Sequence, residues 1–367
     1  MDRRDFLKSS ALGLAGLSLP WLRMPHPAEA KARDRYSVVI LGDTHYDDAD
    51  PLKYHAGYRD PNPAREAAHR EEFARNGEMW SGRCRELVKR AACLVDDDTR
   101  YVFQMGDLIQ GDTADAATHK RFLDDAMNLL KDSIAPELPF ITVAGNHDVR
   151  GNDDAVCRQA YKEYMTARLS RELGQEITDV NFLFRCGADA FVVIDFNHPG
   201  TQRIKALLEE ARDARHVFVI VHGPVFPFDD PDIYFWYLLG SRNDRYAAER
   251  REIRALLASL DAIVLCGHTH TTEFLDWKGD GGRITQMTMN SVWSSAEKGE
   301  YKLIASGAAE YGNEAGKPLF DEYRPGIRAY SLADCAGAYK LVVDGPRVLV
   351  DFYAGASPRR SRRFILR

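Results

Sequence analysis

Short runs of β-branched and apolar residues recur along this chain of 367 residues. They alternate with segments in which apolar positions lie three and four residues apart. Uninterrupted apolar runs are typical of strands buried on both faces of a sheet, and the second spacing is typical of helices. The alternation predicts an α/β (α+β) fold. Five strands bear on function: 36–41, 101–105, 140–144, 216–221 and 261–266.

The segments between and after these strands complete the expected fold. Helices are predicted over 64–76, 78–94, 119–131, 154–172 and 246–260, and further strands over 181–185, 191–195, 283–290, 340–343 and 348–353. Asp344-Gly345 predicts a hairpin between the last two strands, although Pro346 favours a slightly longer loop. We expect this C-terminal part to complete a second sheet that packs on the first.

Polar side chains follow the end of each of the five strands, usually next to a glycine. Any one of these stretches is equally compatible with an ordinary turn or with surface histidines. The carboxyl ends of strands in open α/β sheets are, however, where ligands bind. His268 and His270 are two residues apart and can therefore converge on one point if the backbone is extended. The candidate ligands are Asp43, His45, Asp107, Asn146, His222, His268 and His270.

The candidate ligands comprise carboxylates, imidazoles and one amide oxygen, without a thiolate. Such a set suits Mn, Fe or Zn, and it is too large for a single four-coordinate site. Two metal ions that share a bridging ligand would use all of it. The six cysteines form no C-x-x-C pair, which argues against a zinc ribbon.

The strand-end motifs resemble, in order, the five blocks of the calcineurin-like metallophosphoesterases. The blocks are Asp43-Thr44-His45, Gly106-Asp107, Gly145-Asn146-His147-Asp148, Val219-Ile220-Val221-His222 and Gly267-His268-Thr269-His270. Each block is weak alone, but the ordered set is specific and spans most of the chain. The resemblance implies a four-layer αββα sandwich of two packed mixed sheets flanked by helices.

The resemblance also implies a role for each candidate residue. Asp43, His45 and His270 would bind the first ion, Asn146, His222 and His268 the second, and Asp107 would bridge them. His147 would contact a phosphoryl oxygen or protonate the leaving group, and Asp148 would orient His147. A water shared by the two ions would become the hydroxide that attacks the phosphate ester. The implied substrate is a small organic phosphomonoester or phosphodiester.

Residues that differ from the motifs of two well-known branches of the family narrow the choice of subfamily. Gln110 occupies the position where purple acid phosphatases carry a tyrosine ligand. Gln110-Gly111-Asp112 also fails to match the G-D-x-x-D-R-G block of protein Ser/Thr phosphatases. What remains is a broad bacterial group of phosphodiesterases and monoesterases.

Two segments without family motifs are expected to shape the pocket. The insertion 46–100 contains His55, His69 and Trp80, which are either substrate contacts or ordinary loop and helix positions. The segment 224–246 is rich in aromatic residues and predicts either a core or dimer contact or a lid over an organic leaving group. Loops at the rim of a sheet commonly carry specificity.

Residues 1–30 resemble an export signal rather than part of the fold. Paired Arg3 and Arg4 precede the apolar segment 11–19, and Ala28-Glu29-Ala30 offers a cleavage site. The arginine pair is similar to a twin-arginine signal, so we expect the export machinery of that type as a partner and a periplasmic or secreted domain, 31–367. No later segment has the roughly eighteen uninterrupted apolar residues that a stable membrane span needs.

The charge of the chain argues against a nucleic-acid partner. The formal net charge is −6, and removal of residues 1–30, with four basic and three acidic residues, leaves −7. The basic block 359–363 is interpreted as a solvated tail. A nuclease on the same scaffold would need a basic groove. A non-catalytic exported metal-binding protein is the other alternative, and it would not need His147.

Overall fold

The computed structural model describes residues 35–195, 200–226, 238, 246–279, 281–291, 300–312 and 320–367. The predicted export signal and most of the aromatic segment 224–246 lie outside the described residues. No helix in the described ranges is long and apolar enough to cross a bilayer.

The described strands follow the apolar runs of the sequence. In chain order they are β1 Arg35–Leu41, β2 Thr99–Gln104, β3 Phe140–Thr142, β4 Phe182–Cys186, β5 Asp189–Ile194, β6 Val217–Val221, β7 Ile263–Cys266, β8 Thr272–Gly279, β9 Gly282–Thr288, β10 Leu303–Ser306, β11 Ile327–Ala333, β12 Gly337–Asp344, β13 Arg347–Ala354 and β14 Arg362–Ile365. The helices are α1 Leu52–His55, α2 Pro63–Ser81, α3 Arg83–Ala92, α4 Ala116–Ile134, α5 Asp154–Leu173, α6 Thr201–Glu210 and α7 Ala247–Ser259.

Two mixed sheets are built from these strands. The first has the order β14-β13-β12-β1-β2-β3, and the second has the order β10-β11-β8-β9-β7-β6-β5-β4. Within the first sheet β1, β2 and β3 run parallel, and within the second β5, β6, β7 and β9 do so. The parallel strands occupy one end of the first sheet and the middle of the second, and within each sheet their carboxyl ends lie at one edge.

Alternate side chains of the second sheet enter two different cores. Phe191 and Val193 of β5 face the first sheet, whereas Val192 and Ile194 pack toward α6 and α7. Helices α3, α4 and α5 cover the other side of the first sheet. Because side chains of a strand alternate between faces, this division defines four layers. The predicted sandwich of two mixed sheets flanked by helices is confirmed.

Three local predictions are wrong for identifiable reasons. Helix α2, predicted to end at residue 76, continues through Gly77 to Ser81, with Gly82 as its C-cap. Gly77 is needed for close packing and does not end the helix, because a Cβ there would lie 2.2 Å from the carbonyl oxygen of Asp48. Asp344 pairs with Arg347, so the hairpin loop has only two residues, and Gly345 adopts φ +57° at its first position. A positive φ at that position suits a type II′ turn.

The basic block at the end of the chain is the third correction. Residues 362–365 form β14, which pairs with β13. Both guanidinium nitrogens of Arg363 that face Asp351 lie 2.7 Å from its carboxylate oxygens. Arg362 and Arg363 are therefore part of the first sheet rather than of a free tail, whereas Arg359 and Arg360 lie outside the strand and all four arginines remain exposed.

Candidate metal centre

The predicted ligands of the type His or Asp come together where the two sheets meet, at the carboxyl ends of their central strands. Their donor atoms form two sets, each with all donors within 4.8 Å of one another. The first set contains Asp43, His45, Asp107 and His270, and the second contains Asp107, His222 and His268. The carboxylate of Asp107 belongs to both sets, as a bridging ligand must.

The first set faces inward from the ends of β1, β2 and β7. Nε2 of His270 lies 3.1 Å from Oδ2 of Asp43 and 3.3 Å from Nε2 of His45. Nε2 of His45 lies 3.5 Å from Oδ2 of Asp107. Four donors that converge at these distances leave a common centre of the size that a single cation fills.

The second set shares Oδ2 of Asp107 with the first. Nε2 of His222 lies 3.2 Å from that oxygen, and Nδ1 of His268 lies 3.2 Å from Nε2 of His222. His222 and Asp107 are fully buried and His268 nearly so. The two sets are thus adjacent, with one carboxylate between them.

Asn146 adds an acceptor that the rest of the protein leaves unused. Its Oδ1 is buried and has no hydrogen-bond partner among the described residues. Buried polar atoms in folded proteins are nearly always paired, so an unpaired amide oxygen beside carboxylates and imidazoles fits a cation ligand. The donor set, without thiolates, suits the ions that the sequence predicted.

Glycines before two of the motifs are required by the ligands themselves. A Cβ on Gly145 would lie 2.1 Å from Oδ1 of Asp107, and a Cβ on Gly267 would lie 2.2 Å from Oδ1 of Asp43. Neither distance is physically accessible, so only glycine allows the backbone to approach each carboxylate this closely.

The backbone is unusual at several of the ligands. His45, Asp107, His268 and His270 all adopt positive φ, at 40°, 51°, 75° and 52°. Positive φ is uncommon for residues with a Cβ, and such conformations cluster at functional sites, where the surrounding structure holds them. The loops after β1, β2 and β7 thus each contain a left-handed residue that is itself a candidate ligand.

Hydrogen bonds on the far side of two rings fix which nitrogen faces the centre. Nδ1 of His222 lies 2.7 Å from the carbonyl oxygen of Met105, and Nδ1 of His45 lies 3.1 Å from Oε1 of Gln110. A carbonyl oxygen can only accept, so Nδ1 carries the proton in each ring. Nε2 is then the nitrogen of each ring that is left to face a cation, as a metal ligand requires.

A family model described as calcineurin-like phosphoesterase matches residues 36–272. That span is well over half of the chain and contains every predicted ligand. The chain belongs to the calcineurin-like phosphoesterase family. A search among curated proteins finds no significant match.

Solved structures of distant proteins share the fold of this phosphoesterase. A purple acid phosphatase from yellow lupin (Lupinus luteus) seeds, PPD1, is 14% identical to this chain, with a TM-score of 0.54. The match covers 90% of this chain and 53% of the lupin chain. A structure of PhoD is 14% identical to this chain, with a TM-score of 0.53. The match covers 92% of this chain and 70% of the PhoD chain. The chain thus spans about half the length of the lupin enzyme, and at this identity the likeness concerns the fold alone.

The phosphoesterase site is electrostatically prepared for cations. Burial alone would raise the pKa of Asp107, but the facing imidazoles of His222 and His147 hold it well below its usual range. Burial lowers the pKa of His268 to about 3 and that of His45 well below its usual range. Burial also opposes protonation of His222, but Asp107 and Asp43 raise its pKa to about 10. An ionised Asp107 and neutral His45 and His268 are the forms that bind metals, whereas His222 has to release the proton that the two carboxylates stabilise before it can bind a cation.

His147 lies at the edge of the two donor sets and is not a member of either. Its ring centroid lies 4.4 Å from that of His45, and its backbone N–H donates to Oδ1 of Asp107 over 2.8 Å. Nδ1 lies 2.9 Å from the carbonyl oxygen of Gln110 and therefore carries the proton, which leaves Nε2 as the acceptor nitrogen of the ring. Nη1 of Arg150 lies 3.5 Å from that Nε2. Burial and the charge of Arg150 lower the pKa of His147 to about 3.

Asp148 does not contact the His147 ring as the sequence interpretation expected. Its fully buried carboxylate accepts hydrogen bonds from the backbone N–H groups of Ile109, at 3.1 Å, and Gly145, at 2.8 Å. Consecutive side chains in the short 3₁₀ turn 147–149 point in different directions, which separates the two. Asp148 therefore ties together the loops that carry Asp107 and Asn146.

The insertion supports the metal centre mainly from behind. Trp80 is buried and its Nε1 lies 3.0 Å from the carbonyl oxygen of Thr44. His55 is buried as well, with Nε2 3.0 Å from Oδ2 of Asp47 and its ring stacked on Phe73. His69 pairs with Tyr58 and lies near Asp112. Trp80 and His55 thus stabilise the loop after β1, and their burial keeps them from a substrate.

Two buried glutamine side chains support the site through hydrogen bonds, although neither belongs to a recognised motif. Gln104 connects the loops after β1, β2 and β3, because it bonds the carbonyl oxygen of Gly42, the backbone of Gly106 and the hydroxyl of Thr142. Oε1 of Gln110 accepts a hydrogen bond from Nδ2 of Asn76 in α2 over 2.8 Å and also bonds Nδ1 of His45. Gln110 is notable in the sequence only as the residue that replaces a tyrosine ligand.

Proposed function

We propose that this chain is a dinuclear metal-dependent phosphoesterase that hydrolyses a phosphomonoester or phosphodiester of a small organic molecule. The observation that carries the proposal is the position of Asp107, whose carboxylate belongs to both donor sets. The family membership supports phosphate ester hydrolysis in general. The number of metal ions and the kind of ester are our own proposal and do not follow from the family membership.

Each donor set fits one cation. Asp43, His45 and His270 would hold one ion and Asn146, His222 and His268 the other, with Asp107 shared. Bound cations of this kind supply a nucleophile from water at neutral pH and neutralise charge on the phosphoryl group. Mn, Fe and Zn all accept these ligands.

The side chains around the ions would position the substrate and move a proton. His147 is held by the Gln110 carbonyl so that its Nε2 faces the edge of the site. In the free protein its ring is neutral, because burial and Arg150 lower its pKa to about 3. The negative charge of a bound phosphate ester favours protonation of Nε2, from which the leaving oxygen can take the proton.

The experiment that tests this function uses the purified chain from residue 31 onward. Bound metal is measured by elemental analysis, and hydrolysis of a generic aryl phosphomonoester and a generic aryl phosphodiester is assayed with Mn, Fe or Zn supplied. We expect about two ions per chain and turnover of at least one ester class. Less than about one ion per chain together with no turnover of either ester would contradict the proposal.

We further propose that residues 1–30 direct the folded chain through twin-arginine export to the periplasm or beyond. The proposal rests on Arg3 and Arg4 ahead of the apolar segment 11–19. Fusion of residues 1–34 to a reporter that functions only after export of its folded form tests it. Replacement of both arginines by lysine should retain the reporter in the cytoplasm, and export of the doubly substituted fusion would contradict it.

A further inference from the structure

Arg150 directs the Nη1 edge of its guanidinium group toward His147, beside the candidate metal centre. Its Nε donates to Oδ1 of Asp112 over 2.7 Å, and its Nη2 donates to Oδ2 over 2.6 Å. This side-on pairing uses one edge of the planar group and leaves Nη1 outside it. The carboxylate of Asp112 therefore orients the guanidinium without consuming its third nitrogen.

The Nη1 edge contacts the residue that we expect to act on the substrate. Nη1 of Arg150 lies 3.5 Å from Nε2 of His147, which is the ring nitrogen not bound to the Gln110 carbonyl. The His147 ring in turn contacts the ring of His45, one of the metal ligands. A substrate oxygen that contacts Nε2 of His147 is thus also within hydrogen-bonding reach of Nη1 of Arg150.

The scaffold around Arg150 holds it firmly while one side stays accessible. The backbone N–H of Asp112 donates to the carbonyl oxygen of Arg150 over 2.9 Å. Asp112 itself is fully buried and lies 3.6 Å from Nδ1 of His69 in the insertion. The Arg150 side chain is 26% exposed. It also lines a cleft of about 380 Å³ together with Tyr58, Arg59 and Asn152.

We propose that Arg150 binds a phosphoryl oxygen of the substrate through Nη1 and so helps to hold the phosphate ester against His147. This inference rests on the proposed function, since it assigns a specificity residue to that same site. A guanidinium is the side chain that best matches phosphate, and its charge offsets the negative charge that builds up during hydrolysis. The sequence interpretation assigned no role to Arg150, because it stands outside the family's blocks.

A remote ion pair of the same geometry provides a matched control. Arg215 pairs side-on with the buried carboxylate of Asp189, at 3.0 Å from Nε and 2.7 Å from Nη2. Its side chain is 23% exposed, close to the value for Arg150. Arg215→Lys therefore reports the structural effect of losing such a pair away from the metal centre.

The test compares wild type, Arg150→Lys and Arg215→Lys, all loaded with Mn. Inorganic phosphate is the probe, and its dissociation constant is measured by calorimetry alongside kcat/KM for the ester that wild type cleaves. We expect Arg150→Lys to weaken phosphate binding about 10-fold or more, in line with one lost charge-assisted hydrogen bond, and to lower kcat/KM similarly. Arg215→Lys should leave both within about twofold of wild type, as residues remote from a site usually do.

Equal phosphate affinity in wild type and Arg150→Lys would overturn the inference. Asp112→Asn serves as a second variant if Arg150→Lys folds poorly, because it keeps the arginine and loosens its orientation. It should weaken phosphate binding in the same direction, and an unchanged dissociation constant would again overturn the inference. If wild type binds phosphate through Arg150 but cleaves no ester, the proposed function fails and this inference stands.

Discussion

Oε1 of Gln110 lies 3.1 Å from Nδ1 of His45, and Nδ2 of Asn76 lies 2.8 Å from the same oxygen. All three side chains are buried. Because the amide oxygen accepts from both neighbours, it keeps the proton of His45 on Nδ1 and leaves Nε2 to face Asp107. The Asn76 amide of the insertion thus acts through Gln110 on His45, a proposed metal ligand.

The first prediction concerns this contact. Gln110→Leu removes the acceptor, so His45 can place its proton on either nitrogen and loses its fixed orientation. Loss of such a support typically weakens metal binding about 10- to 100-fold. Metal affinity is measured by calorimetric titration of the chelator-treated protein. Gln175→Leu, at an exposed position, is the control. Wild-type metal affinity in Gln110→Leu would show that the tautomer is fixed by other means.

The second prediction concerns the glycines that touch the ligands. Gly145→Ala and Gly267→Ala each place a methyl group about 2 Å from a carboxylate oxygen of Asp107 or Asp43, so the ligand or the loop must move. We expect bound metal to fall below half of the wild-type content and stability to drop by about 1–3 kcal/mol, as overpacking usually costs. Metal content and thermal unfolding measure the two effects.

Gly281→Ala is the control for the glycine variants. Its added methyl group would come no closer than 3.8 Å to another residue, and its φ lies outside the left-handed region. We therefore expect wild-type metal content and stability. Full metal content in Gly145→Ala and Gly267→Ala would mean that the carboxylates can retreat without losing the ions.

The sequence predicts most of the site because each ligand follows a strand whose apolar run is unmistakable. The runs at 36–41 and 261–266 locate Asp43 and His270 even though 225 residues separate His45 from His270. The parallel pairing of these strands within each sheet then brings their carboxyl ends together. A pattern of this kind is local, so it can be read without knowledge of the partners.

The contacts that support the ligands depend on distant residues and leave no local signal. Asn76 of α2 donates to Gln110, which no local pattern shows. The sequence also predicts that α2 ends at residue 76, five residues before its actual end, because the close approach of Gly77 to Asp48 is not visible in the sequence. The strands β8, β10, β11 and β14 have charged or half-exposed faces, so their composition is not typical of a buried strand. Which side chain Asp148 contacts depends on the turn 147–149, and sequence neighbours alone do not show it.

The third prediction concerns removal of metal. The donor sets gather the carboxylates of Asp107 and Asp43 and several imidazoles in a buried space, and four of these residues adopt positive φ there. Ions that bind only the folded state stabilise it by about 2.7 kcal/mol per site at a concentration 100-fold above the dissociation constant. Treatment with a chelator should therefore lower the thermal midpoint by several degrees and abolish turnover, and Mn should restore both. An unchanged midpoint after verified metal removal would contradict the two-ion site.

The last prediction separates metal binding from proton transfer. His147 belongs to neither donor set, and its link to Asp107 runs through its backbone N–H, which His147→Ala retains. We expect that variant to keep wild-type metal content while kcat falls about 10²- to 10⁴-fold, the range of a lost general acid. His216→Ala is the matched control, because His216 is half-buried and bonds the carbonyl oxygen of Gly345 far from the site. Undiminished turnover in His147→Ala would assign the proton to another group, or indicate a leaving group that needs none. Loss of metal in that variant would instead place His147 among the ligands.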